Sequence, residues 1–140
     1  MKVTSIRNGL IAIILLSVVV GGCKASEDQM KIADDAILDF HYKYNNDKFE
    51  ELEQQRHQKM KDKVPADQYI EDLRGIKSKF GRQKDSAYIS SKSSDLGDTL
   101  TVERDTTFEK GTAKETFLFD MEGDRPVLLS YIFSSRDLLK

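Results

Sequence analysis

The hydrophobic period of the chain changes once, at Gly81. Between Met30 and this glycine, apolar residues recur at spacings of three and four, which predicts amphipathic α-helices. After it, apolar and polar residues alternate, which indicates half-buried β-strands. A chain that places its helices first and its strands afterwards favours an α+β fold. We therefore predict N-terminal helices packed on a curved antiparallel β-sheet.

Three helices are predicted before the change of period, and they should cover residues 30–45, 48–63 and 66–80. The Asn45-Asn46-Asp47 cluster separates the first two, because asparagine tolerates the left-handed C-cap conformation and aspartate is a favoured N-cap. Pro65 ends the second, since proline disfavours helical backbone in the residue before it. Gly75 weakens the third helix and indicates a close packing approach there.

Four strands are predicted after Gly81, at residues 86–91, 99–109, 114–122 and 127–134. Gly111 and Gly123 stand where hairpin turns favour glycine. The last strand is the most apolar of the four, so we expect it to lie at the centre of the sheet.

The first 22 residues have the parts of a secretory signal peptide. Lys2 and Arg7 form a basic start, and an apolar run of about a dozen residues follows. This run is shorter than the ~20 residues that a membrane-spanning helix needs. It ends in Val20-Gly21-Gly22-Cys23, which resembles the bacterial lipobox, with Val20 in the place of the usual leucine. The resemblance implies cleavage before Cys23, a diacylglycerol on its thiol, and acylation of the new amino terminus with a chain such as palmitate.

The predicted organisation is a lipoprotein signal peptide at 1–22, the acylated cysteine with a polar tether at 23–29, and a single α+β domain at 30–140. Cys23 is the only cysteine of the chain, so no disulfide is expected. The alternatives are an ordinary signal peptide with a chance cysteine and an uncleaved anchor. The lipoprotein interpretation places the domain in the bacterial cell envelope, facing the periplasm. Lys24 favours the outer membrane if the source is Gram-negative.

The charge of the mature chain bears on its partners. Loss of Lys2 and Arg7 moves the formal net charge from −2 to about −4. Because nucleic-acid-binding proteins need a basic stripe, no nucleic-acid partner is expected. The lipid bilayer is the predicted partner through acylated Cys23, since a triacylated cysteine exceeds the roughly two chains that stable anchoring needs.

Several short motifs resemble those of the cystatin-like, nuclear-transport-factor-2-like superfold, and of the small bacterial lipoproteins and secreted proteins within it. They are YNNDKF at 44–49, FGR at 80–82, TFEKG at 107–111 and LSY at 129–131. The resemblance covers most of residues 30–134. It implies a cone formed by the helices and the sheet, whose mouth holds a small ligand or whose sheet face pairs with a protein.

His41 is the first candidate for chemistry. A carboxylate could orient its imidazole at the mouth of the cone, where it would act as a general base. Asp35 and Asp39 lie on one face of the predicted helix, but His41 points elsewhere. The alternative is a surface or boundary histidine beside a solvated acidic face.

Arg104 interrupts the apolar rhythm of its strand and shares a face with Val102 and Phe108. Its guanidinium could bind an anionic ligand bidentately, or it could pair with Glu115 on the facing strand. His41, Tyr44 and Arg104 are the residues we predict for a ligand pocket.

No catalytic, cofactor-binding or metal-ligating residue is predicted. The chain lacks a nucleophile elbow, a phosphate loop and a dinucleotide fingerprint. A ligand role for His57 is not expected, because two histidines far apart without a free cysteine do not suggest a zinc site.

The resulting prediction is a membrane-anchored envelope lipoprotein that acts as a non-catalytic binding domain for a protein partner or a small ligand. One alternative is a pocket enzyme of the same superfold, an isomerase or hydrolase that uses His41. The other is an immunity or inhibitor lipoprotein that blocks the cleft of an enzyme.

Overall fold

The computed structural model of the chain describes residues 4–6, 10–12, 22–122 and 125–139. The helices are α1 Glu27–Asn45, α2 Phe49–Gln54, α3 Gln58–Lys63 and α4 Ala66–Phe80, with a closing 3-10 turn at Arg136–Leu139. The strands are β1 Thr4–Ile6, β2 Leu10–Ala12, β3 Gly22–Cys23, β4 Gln83–Ser94, β5 Thr99–Phe108, β6 Gly111–Glu122 and β7 Arg125–Ser134. Among the described residues, no helix has the length and hydropathy to cross a membrane. Most of the predicted signal peptide lies outside these residues.

The sheet is an antiparallel meander in which β4, β5, β6 and β7 pair in sequence order. Helix α1 lies against β4, β5 and β7, which confirms the predicted α+β class. Short pairings extend both edges: β2 joins β7 at Leu10 and Ile11, and β3 joins β4 at Ser93 and Ser94. Cleavage before Cys23 would remove β1 and β2.

The predicted central position of the last strand is wrong. Strands β5 and β6 are the inner strands of the meander, and β7 lies outside β6, with the short strands β2 and β1 beyond it. Strand β7 is apolar because helices α1 and α3 contact it. Its hydrophobicity therefore reflects cover by helices rather than a position at the centre of the sheet.

Helix α1 begins at Glu27, three residues before the predicted start. Ser26 and Gln29 form a capping box: the Ser26 hydroxyl accepts from the Gln29 backbone at 3.2 Å, and the Gln29 amide oxygen accepts from the Ser26 backbone at 3.3 Å. The polar segment after Cys23 is consequently residues 24–26, shorter than the predicted tether.

The predicted second helix is two helices, because the backbone turns toward the sheet between them. The His57 amide donates to the Leu128 carbonyl at 2.9 Å, and Arg56 forms an isolated bridge with the same residue. The buried Arg56 guanidinium donates two bonds of 3.1 Å to the Val64 carbonyl and lies 4.3 Å from the centre of the Tyr69 ring. Arg56 thereby satisfies a carbonyl that the end of α3 would otherwise leave unpaired.

Gly81 and Gly75 have different roles. Gly81 ends α4 with a φ of 77°, the left-handed region that glycine enters without strain, and a Cβ there would lie 2.9 Å from Glu109 Cβ. A Cβ at Gly75 would meet nothing within 4 Å. The predicted close approach at Gly75 is therefore wrong, and this glycine lies on the exposed face of α4.

Candidate functional site

The inner face of β6 carries two regions of opposite character. Glu115 lies in the first, which we call the buried polar cluster and define as His41, Thr106, Glu115 and Tyr131. Phe117 and Phe119 follow on the same face and line the second, which we call the apolar cavity. Because residues i, i+2 and i+4 of a strand share a face, the register of β6 places the two regions next to each other.

In the buried polar cluster, three side chains converge on one carboxylate. His41 Nε2 lies 2.8 Å from Glu115 Oε1, and the Thr106 hydroxyl donates to the same oxygen at 2.5 Å. The Tyr131 hydroxyl donates to Glu115 Oε2 at 2.5 Å. Only 1 % of Glu115 and 4 % of His41 are exposed to solvent.

The electrostatics of the cluster follow from these contacts. Burial alone would raise the pKa of Glu115, but the His41 imidazole and the hydroxyls of Thr106 and Tyr131 outweigh it and hold that pKa below its ordinary value. Burial, followed by the Glu115 charge, raises the pKa of Tyr131 well above its ordinary value. The cluster therefore contains an ionised carboxylate that is fully hydrogen-bonded and a tyrosine that stays protonated.

His41 is enclosed rather than exposed, so the predicted alternative of a surface histidine is wrong. Its ring lies between Phe40 and Phe117, with ring centroids 5.9 and 6.0 Å away. Its Nε2 is engaged by Glu115, a carboxylate from the sheet and not from the helix. Such a pair can fix the position of α1 on the sheet and specify a single packing of the core.

The apolar cavity lies between α1, α2 and the β6–β7 hairpin and has a volume of about 390 Å³. Its surface is mainly aromatic and aliphatic, formed by Ala36, Phe40, Leu52, Phe117, Phe119 and Leu128. Pockets of about 300–1,000 Å³ with apolar walls and a few polar groups are typical of small-molecule sites.

Three polar side chains line the same cavity: Asp39, Gln55 and Arg125. The Asp39 carboxylate is paired with Lys43 Nζ at 2.6 Å, one helical turn further along α1. Within the described part of the chain, neither Gln55 nor Arg125 has a side-chain hydrogen bond or ion pair. The cavity thus has apolar walls and two polar side chains, Gln55 and Arg125, that have no partner among the described residues.

The structure does not bring the predicted pocket residues to the cavity: none of His41, Tyr44 and Arg104 lines it. The Tyr44 hydroxyl donates to the Gly81 carbonyl at 2.9 Å, and burial is the main cause that raises the pKa of Tyr44. Tyr44 is therefore a core residue that ties α1 to the end of α4.

Arg104 lies opposite Glu115 in the β5–β6 register, as expected, but the predicted ion pair between them is wrong. Its guanidinium pairs with Asp34 of α1 and donates to the Ser86 carbonyl at 3.4 Å. This ion pair connects strand β5 to helix α1. Arg104 is held by protein groups and does not face the cavity.

His57 lies beside two carboxylates that the sequence did not connect with it. His57 Nε2 is 3.3 Å from Asp120 Oδ2 and 3.6 Å from Glu122 Oε1, an arrangement that could hold a metal ion. However, His57 Nδ1 accepts from the Lys59 amide at 3.1 Å, so a neutral imidazole carries its proton on Nε2. That proton serves a hydrogen bond to Asp120 and leaves no lone pair there for a metal.

Sequence reasoning missed Glu115, Thr106 and Tyr131 as partners of His41, and it missed the residues of the cavity. A signal for Glu115 existed, because this residue has the same strand phase as Phe117 and Phe119. Comparisons with protein-family models, with curated proteins and with solved structures find no match to this chain.

Proposed function

We propose that this chain is a lipid-anchored, non-catalytic binding domain of the bacterial cell envelope, and that it holds a small ligand in the apolar cavity. The observation that carries the proposal is the cavity itself. Its walls of buried aromatic and aliphatic side chains favour an apolar ligand, and the polar groups at Gln55 and Arg125 remain available to orient it.

Anchoring through Cys23 is supported by the basic start, the apolar run and the lipobox-like tetrapeptide. We expect wild-type protein to incorporate palmitate and to fractionate with membranes, outer membranes if the source is Gram-negative. A Cys23→Ser variant should lose both properties. Equal membrane fractionation of the two proteins, or absence of palmitate in the wild type, would refute the anchor without bearing on the cavity.

Membership of the cystatin-like, nuclear-transport-factor-2-like superfold is part of the proposal. It is supported by helices that pack on one face of a four-stranded antiparallel meander. A cone of this type positions a ligand between its first helix and its sheet, which is where the cavity lies.

The arrangement around His41 favours a binding role over a catalytic one. A general base needs a free nitrogen within hydrogen-bond reach of a substrate. Glu115 occupies only Nε2 of His41, but the whole imidazole is enclosed by aromatic rings of the core and only 4 % of the residue is exposed, so its second nitrogen does not face an open site. The carboxylate and hydroxyls of the cluster are used to satisfy one another.

Filling the cavity tests ligand binding directly. The uncharged probe N-phenyl-1-naphthylamine should bind the protein saturably and gain fluorescence. An Ala36→Phe variant places a ring in the cavity and should weaken this binding at least about tenfold, whereas Leu38→Phe on the exposed side of α1 should not change it. Absence of saturable binding, or binding that Ala36→Phe leaves unchanged, would refute the proposed site.

A further inference from the structure

We infer that the ligand of the cavity is an anionic amphiphile, a short acyl chain or ring with a carboxylate or phosphate head, and that Arg125 binds the head. This inference rests on the proposed small-ligand function and names the class of ligand. It follows from the size of the cavity, its apolar surface and the balance of charge at its rim.

The cavity surface requires an apolar body. Phe117 and Phe119 are stacked with an interplanar angle of 4° and ring centroids 6.2 Å apart. Phe40 meets Phe117 edge to face at 5.2 Å and completes an aromatic surface. Each methylene group that such a cavity removes from water strengthens binding roughly fourfold.

The volume limits the length of that body. The space of about 390 Å³ corresponds to about a dozen groups the size of a water molecule, at about 30 Å³ each. An acyl chain of about eight carbon atoms with a compact head fits this volume, whereas a complete two-chain lipid does not.

The charge at the rim selects the head. The carboxylate of Asp39 is compensated by Lys43 at 2.6 Å, so this pair contributes little net charge. Arg125 is exposed and has no ion-pair partner among the residues that the structure describes. The rim is therefore cationic, and a guanidinium offers two parallel donors to a carboxylate or phosphate.

Among the acidic residues that the structure describes, Glu122 is placed to neutralise Arg125, because the two lie opposite each other in the β6–β7 register. Its carboxylate instead lies 3.6 Å from His57 Nε2. Among the described residues, no carboxylate lies within ion-pair distance of the Arg125 guanidinium, which is therefore available to a ligand. Pro126 follows Arg125 and also lines the cavity, and the residue before a proline favours extended backbone.

Three probes that share a chain and differ in their heads test the inference: octanoate, octylammonium and 1-octanol. Each probe is titrated into the complete acylated protein in detergent, and binding is measured from the change in the backbone amide NMR shifts of residues that line the cavity. We expect octanoate to bind about tenfold more tightly than octylammonium, with 1-octanol between them. The preference for octanoate should decrease as ionic strength rises, because the rim is accessible to salt.

Arg125→Gln should lower the affinity for octanoate about three- to tenfold and leave that for 1-octanol unchanged. Arg136→Gln is the matched control, since Arg136 is equally exposed and follows the other end of β7, roughly 30 Å away. It should change neither affinity.

Each other outcome refutes a defined statement. Equal binding of the three probes refutes the anionic class but leaves small-ligand binding in place. If Arg125→Gln and Arg136→Gln change the preference for octanoate equally, the role of Arg125 is refuted. Absence of binding for all three probes, together with absence of N-phenyl-1-naphthylamine binding, refutes the proposed function as well.

Discussion

The buried polar cluster and the apolar cavity lie side by side on β6, yet their groups are used in opposite ways. In the cluster, both oxygens of Glu115 are occupied by protein donors and solvent is excluded. In the cavity, aromatic walls border open space, and Gln55 and Arg125 have no partner among the described side chains. A polar group that the protein satisfies internally stabilises the fold, whereas an apolar surface left unfilled is available to a ligand.

Helix α1 contributes to both regions, which explains why they are easily confused in the sequence. Phe40 lines the cavity, and the next residue, His41, belongs to the cluster. A rotation of the helix by one residue would move His41 into the position of Phe40. The hydrogen bond between His41 and Glu115 opposes that rotation, so the cluster keeps Phe40 and Ala36 directed at the cavity.

The largest expected effect is on stability when the cluster is broken. Glu115→Gln removes the charge that His41, Thr106 and Tyr131 surround, and should lower the free energy of unfolding by about 3 kcal/mol. Glu103→Gln, which breaks an exposed ion pair of 3.0 Å with Lys114, should cost less than about 1 kcal/mol. Urea unfolding monitored by circular dichroism measures both. Equal losses would remove the distinction between a buried cluster and an ordinary surface pair.

Acid should weaken the cluster specifically. The folded state holds the pKa of Glu115 below its ordinary value of 4.5, so its stabilising contribution is complete above that pH and is lost as the pH falls through the folded pKa. We expect the stability difference between wild type and Glu115→Gln to shrink as the pH falls below about 4.5. If the stability difference between the two proteins grows on acidification, the pKa of Glu115 is raised by folding rather than lowered, which would contradict this prediction.

Filling the apolar cavity should not lower the free energy of unfolding, in contrast to breaking the buried polar cluster. Ala36→Phe fills space without displacing a satisfied polar group, so it should leave stability unchanged or raise it by up to about 1 kcal/mol. Thermal unfolding of this variant beside Leu38→Phe measures the effect. A loss above about 2 kcal/mol would mean that the walls are already closely packed, which would contradict an open cavity.

The smallest expected change in stability is at Gly75, which lies outside both regions and serves as a reference. Gly75→Ala on the exposed face of α4 should stabilise the protein by about 0.5–1 kcal/mol, because alanine is the better helix former and its Cβ meets nothing. Gly81→Ala is the contrasting control and should destabilise it, because of the positive φ and the contact with Glu109.

Hydrophobic period predicted the order of helices and strands, because side-chain alternation records which face of each element is buried. It predicted the shared face of Val102 and Phe108 and the change from helix to strand at Gly81, both of which the structure confirms. It did not predict the break between α2 and α3, since Arg56 is buried by carbonyl acceptors that only the folded backbone supplies.

The candidate site was less accessible from sequence than the fold. His41 follows Ile37 by four residues and precedes Tyr44 by three, which is the phase of the apolar stripe, but only the sheet register identifies Glu115 as its partner. The cavity depends on the volume left between elements far apart in the chain. No local pattern records that volume, so sequence favoured conspicuous charged and aromatic residues instead.

The capping box at Ser26 has a consequence for orientation at the bilayer. Only residues 24–26 separate Cys23 from α1, and three extended residues reach roughly 10 Å. With Cys23 acylated as proposed, the helix would start within that distance of the lipid headgroups. Gln29 binds the Gly97 carbonyl at 3.3 Å, so the β4–β5 turn and the 90 % exposed Leu96 would face the same surface. The short linker would then hold the domain in one orientation relative to the bilayer, whereas a long flexible linker would let it rotate freely.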